Sequence, residues 1–84
     1  MLRTYTQNGE DARTQLIREH MNMVSYWVER MVTQVPAFMS RDEIRSAAME
    51  GLINAANRFD PNQGVLFKTF AEHRIRGAIF DEVR

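Results

Sequence analysis

Two chain breakers decide what this sequence can fold into. Pro36 and the run Asp60-Pro61-Asn62-Gln63-Gly64 cut the chain into three stretches. Proline has no backbone N–H to donate and disfavours helix at the residue before it. In the second breaker proline fixes φ, while asparagine and glycine tolerate positive φ, so the chain turns there. Each stretch repeats its apolar residues at three- and four-residue steps, the period of an amphipathic helix. A first helix is predicted from about Ala12 to Gln34. Ile17, His20, Val24, Trp27, Val28, Met31 and Val35 share its inner face, and Asn22, Ser25, Glu29 and Thr33 its outer face. Ser40 and Glu43 have capping-box spacing and start a second helix. Its stripe is Ile44, Ala48, Gly51, Leu52, Ala55 and Phe59, in which the small residues allow close helix approach. A third helix runs from about Leu66 to the end, with Phe67, Ala71, Ile75, Ala78 and Ile79 inward. No stretch alternates like a strand. The expected fold is all-α, a compact three-helix bundle over residues 14–84 with short connections. A polar, weakly ordered tail, residues 1–13, precedes it.

Composition narrows the function. A chain of 84 residues suits one domain with a modest core and marginal stability. Without cysteine it has no disulfide framework and no thiolate metal site. No segment approaches the roughly 18 apolar residues of a membrane span, and no signal peptide is evident. A soluble, cytoplasmic chain is expected. The 11 basic and 11 acidic residues cancel. Autonomous DNA-binding domains carry a basic excess, because they neutralise phosphates. Strong DNA binding by this chain alone is therefore not expected, and a partner must supply the electrostatics. His20 and His73 are too few and too dispersed for a metal site, and His20 belongs at the core edge. The methionines read as packing filler. Asp81 and Glu82 are adjacent on a helix and point in different directions. No nucleophile–base pair and no Gly-rich phosphate loop is present, so neither an enzyme nor a cofactor is expected.

The residues that the core stripes leave unused are informative. Met49 and Ile53 lie four apart on the second helix, away from the Ile44–Leu52 stripe and flanked by Arg45, Ser46 and Ala56. An apolar strip with polar edges can mark a partner surface. Its plainer reading is that the first helix or the tail covers it. On the third helix, Thr69, Phe70, His73, Arg76, Gly77 and Phe80 fall away from the core stripe. Aromatics beside His and Arg fit a surface that stacks on unpaired bases. The plainer reading packs Phe70 on the turn holding Phe59.

Several ordered blocks resemble a known family. Gly51-Leu52-Ile53-Asn54-Ala55-Ala56-Asn57-Arg58-Phe59-Asp60-Pro61, Gly64, Phe67-Lys68-Thr69-Phe70-Ala71 and Ile75-Arg76-Gly77-Ala78-Ile79 look like region 2 of bacterial sigma-70-family transcription initiation factors. His20-Met21-Asn22-Met23-Val24 resembles that family's first region 2 helix. The ending from Arg74 to Arg84 most resembles factors of the flagellar and alternative type. Two departures stand out. The second helix begins Glu43-Ile44-Arg45-Ser46-Ala47-Ala48 where D-L-x-Q-x-G is usual, and His73-Arg74 replaces the Trp pair of housekeeping members.

The resemblance implies a binding module with two surfaces. One is a polymerase face on the second helix, Glu43, Ser46, Ala47, Met49, Glu50 and Ile53, docking on the coiled coil of the β′ clamp of core RNA polymerase. The other is a face for the unwound, single-stranded promoter DNA of the minus-ten element: Phe59, Asp60, Gln63, Val65, Lys68, Thr69, Phe70, His73, Arg74, Arg76 and Gly77. A flipped adenine would sit near Phe59, Thr69 and Phe70, with Arg76 and Lys68 as phosphate partners. An anti-sigma factor is a further partner class. The alternative is a stand-alone sigma-like interaction or regulatory module without promoter recognition. A helix-turn-helix duplex reader fits less well, since the chain is neutral and no short turn precedes an evident recognition helix.

Overall fold

The computed structural model describes residues 10–84. Four helices follow one another: α1 (Ala12–Glu19), α2 (Met21–Met31), α3 (Arg41–Arg58) and α4 (Phe67–Val83). No strand occurs among the described residues, and the expected all-α bundle is what forms. Residues 1–9 of the expected tail lie outside the described residues. Asp11 caps α1, its carboxylate accepting from the backbone N–H groups of Arg13 and Thr14, so the helix begins at Ala12, where the first helix was expected to start.

The expected single first helix is two helices that meet at His20. The His20 backbone has φ −117° and ψ 14°, outside helical values. Its ring Nδ1 lies 2.7 Å from the Leu16 carbonyl oxygen, and a carbonyl only accepts, so Nδ1 carries the proton. In an unbroken helix that carbonyl would accept from the His20 backbone N–H. That N–H bonds instead to the Ile17 carbonyl at 3.2 Å, which tightens the turn and redirects the chain. The ring also meets Phe67 edge-on, with centroids 4.7 Å apart, which ties the junction to the start of α4.

The other boundaries follow the sequence. The helical turn after α2 ends at Pro36. Ser40 Oγ accepts from the Glu43 N–H at 3.1 Å, and the Glu43 carboxylate accepts from the Ser40 N–H at 2.8 Å, completing the capping box of α3. After α3, Pro61–Gln63 form one 3-10 turn, closed by Gly64 at φ +76°. That conformation favours glycine.

Val24, Val28 and Met31 from α2, Ile44, Ala48, Leu52 and Ala55 from α3, and Ala71, Ile75 and Ile79 from α4 fill the core. Among the described residues no polar or charged residue is buried as a whole. Two residues expected away from the stripe of α3, Ala47 and Ala56, are buried as well. Alanine is small enough for flanking helices to close over it. At Gly51, α3 and α4 touch backbone to backbone. A Cβ there would lie 2.6 Å from Ile75 Cα and 2.7 Å from the Arg74 carbonyl oxygen. The molecule measures 43 × 25 × 17 Å. Its thin dimension is under two helix diameters of about 10–12 Å, so helix faces that the core does not use remain at the surface.

Candidate functional site

The polymerase-face candidates sit on α3. Glu43, Ser46, Glu50 and Ile53 are exposed, and Ile53 keeps 41% of its surface. Met49 is half-buried and packs on the core edge. Ala47 is buried, so it supports this face and presents no surface of its own. Glu43 serves the capping box, so its carboxylate is partly engaged within the chain. Around Glu43, Ser46 and Glu50 the surface is acidic, with Asp42 and Glu82 beside a shallow recess.

The nucleic-acid candidates gather around the turn and α4. Phe59 lies between two rings, edge-on to Phe67 at 5.2 Å and tilted against Phe70 at 5.9 Å. Phe59 and Phe70 pack against each other, so the packing of Phe70 on the turn does occur, and both remain partly exposed. Thr69, His73, Arg74 and Gly77 are exposed along the same helix. The Arg74 guanidinium stacks over the Phe70 ring, 5.2 Å from its centroid. Next to these rings, Asp60 holds the turn. Its carboxylate accepts from the Asn62 N–H at 2.9 Å and from the Gln63 side chain at 3.2 Å. These two bonds, the backbone one first, hold the Asp60 carboxyl below the usual carboxylate range. Asp60, Gln63 and Val65 are exposed at the rim.

Lys68 and Arg76 are not beside the Phe59–Phe70 pair. Arg76 reaches toward α2 and stacks over Trp27 at 5.3 Å. Lys68 lines a groove of about 500 Å³ between α2 and α4 with Asn22, Met23, Tyr26, Trp27, Arg30 and Glu72. Arg30 stacks over both Tyr26 and Trp27, and Tyr26 is 54% exposed. Sequence reasoning assigned Trp27 to the core, where it is, but missed that it bears two guanidiniums on its outer side. The clue was available: Tyr26 and Arg30 are four apart on one helix face. No group of three or more metal-ligating side chains occurs among the described residues, and no described helix is long and apolar enough to cross a membrane.

The sequence model of the family described as Sigma-70 region 2 matches residues 16–84. The chain is 41% identical over 69 residues to the RNA polymerase sigma-D factor of Bacillus subtilis, covering 82% of this chain and 27% of that protein. It is 36% identical over 80 residues to the RNA polymerase sigma factor FliA of Salmonella typhimurium, covering 95% of this chain and 34% of that protein. With FliA of Pseudomonas aeruginosa it shares 33% identity over 84 residues, again 34% of the relative. The chain thus spans about a third of the length of the relatives it matches. No solved structure matches it significantly. The capped α3, the Asp60 turn and the aromatic start of α4 all fall inside the matched stretch, and the chain belongs to the sigma-70 region 2 family.

Proposed function

We propose that this chain acts in transcription initiation as a sigma region 2, binding core RNA polymerase through α3 and the non-template strand of the minus-ten element through the turn and α4. The carrying observation is the half-buried Phe59–Phe70 pair at the surface, bordered by exposed Thr69, His73 and Arg74. An unpaired base that stacks there gains roughly 1–3 kcal/mol, which helps offset the few kcal/mol of unpairing and unstacking. The work is binding, and no covalent step is needed. Because the chain is neutral, the polymerase supplies much of the field that holds the strand. Exposed Ile53 beside half-buried Met49 supports an apolar contact to the β′ clamp coiled coil, ringed by Glu43, Ser46 and Glu50.

The test measures two affinities. Wild type is expected to bind the clamp coiled coil, and Met49→Glu and Ile53→Glu to lose that binding. With the clamp present, Phe70→Ala should weaken binding of a single-stranded minus-ten oligonucleotide by roughly 5- to 150-fold, the equivalent of one stacked base. Full clamp binding by both acidic variants removes the α3 face. Unchanged oligonucleotide affinity in Phe70→Ala removes the base pocket and leaves an interaction module.

A further inference from the structure

The Phe70 ring does not wait bare for a base. Its exposed side carries the Arg74 guanidinium, 5.2 Å from the centroid, and its other aromatic neighbour is Phe59. A base cannot stack where the guanidinium lies. Arg74 has no carboxylate within ion-pair reach among the described residues, so only the ring holds it there.

A second resting place adjoins the first. A recess of about 350 Å³ between α3 and α4 is lined by Arg74 itself, with Glu50, Asn54, His73, Gly77 and Asp81. It offers two carboxylates, and Asn54 in its wall carries an Oδ1 that is buried without a hydrogen-bond partner among the described residues. A buried acceptor left unpaired is costly, and a guanidinium carries five donors. The backbone beneath cannot slide to make the exchange. Arg74 is pinned against Gly51, where even a Cβ would fall within 2.9 Å of its carbonyl group. Any movement between the two places is therefore a rotation of the Arg74 side chain alone.

We propose that Arg74 is a two-position gate on the base pocket: closed when its guanidinium covers Phe70, open when it turns into the recess toward Asn54, Glu50 and Asp81 and yields the ring to a flipped base. Opening exchanges a cation–π contact for charge-assisted hydrogen bonds. The gate rests on the reading that Phe70 stacks on an unpaired base. It makes Arg74 a positioning residue that sets how fast the strand is captured.

Stopped-flow fluorescence of a single-stranded minus-ten oligonucleotide carrying 2-aminopurine at the flipped position tests this, using the whole chain with the clamp coiled coil bound. Arg74→Ala should raise the association rate about two- to fivefold, the equivalent of an exposed cation–π contact. Asn54→Ala combined with Asp81→Asn removes one of the two carboxylates and the buried acceptor and should slow association while Arg74 is present. The same pair should change nothing in the Arg74→Ala background, a coupling that a merely structural effect would not produce. An association rate in Arg74→Ala equal to or below that of wild type overturns the gate. If Phe70→Ala weakens binding while Arg74→Ala leaves the rate unmoved, the gate falls and the base pocket stands. If Phe70→Ala leaves binding unchanged, both fall.

Discussion

Gly51 and Gly77 carry the same chemistry in opposite surroundings. At Gly51 an added methyl would meet the Ile75 Cα at 2.6 Å, and that backbone is held in a packed helix. Nothing flexible stands in the way, so α3 and α4 must separate to admit it. Gly51→Ala should cost at least the 1–3 kcal/mol or so of overpacking, seen as a lower urea midpoint. At Gly77, also inside a helix, a Cβ meets nothing within 4 Å. There alanine removes only the conformational freedom of the unfolded chain, and Gly77→Ala should stabilise by about 0.5–1 kcal/mol. Opposite signs for one substitution, in the same denaturation assay, would show that the close approach and not helix propensity sets the effect. A loss of stability in Gly77→Ala would contradict the open surroundings found there.

Among the elements, α3 and the turn after it depend on capping side chains. Ser40→Ala deletes one half of the capping box and should cost about 1 kcal/mol by urea denaturation, while Ser40→Asp should retain most of that stability. The Asp60 turn adds a pH dependence. Its carboxyl is depressed by the Asn62 N–H and Gln63 contacts, so the folded state favours the ionised form. The associated stability is complete above the ordinary aspartate range and is lost as pH falls through the lowered value. Asp60→Asn should flatten the acid limb of a plot of urea midpoint against pH, and an unchanged limb would show that the turn contributes nothing there. These devices were legible because Ser40, Glu43, Asp60, Pro61 and Gly64 act on backbone within a few residues of themselves. The α1–α2 junction was not. The stripe through Ile17, His20 and Val24 continues across it, and the break goes with a side-chain bond to the Leu16 carbonyl and a ring contact to Phe67 that periodicity does not report. Ala47, assigned to the polymerase face by resemblance, and Ala56 are buried; they lie three and four residues from Ile44 and Leu52, so the stripe is wider than the one first drawn.

For the whole molecule, a thin bundle with balanced charge sorts its surfaces by type. The acidic recess around Glu43, Glu50 and Glu82 lies on the α3 side, while Lys68 and Arg76 face α2 and Arg74 lies by the rings. The sequence placed Phe59, Thr69, Phe70 and His73 near one another because they share a turn and one helix. It could not separate Arg76 and Lys68 from them, since the two sides of α4 are distinguished only by which helix each one meets. That division yields a prediction about salt. In the proposed complex with clamp and strand, cations would release counterions, and each phosphate neutralised would steepen the dependence of log affinity on log salt by about 0.7 for single-stranded DNA. Lys68→Ala and Arg76→Ala should each flatten that slope by about this amount while leaving base preference at the flipped position intact. Phe70→Ala should do the reverse, lowering affinity at every salt concentration with the slope unchanged, because stacking releases no counterions. Titrations of a minus-ten oligonucleotide across a series of salt concentrations separate the two effects. A slope that flattens as much in Phe70→Ala as in Lys68→Ala would mean that losing the ring displaces the whole strand, and the division of α4 into a stacking side and a phosphate side would not hold.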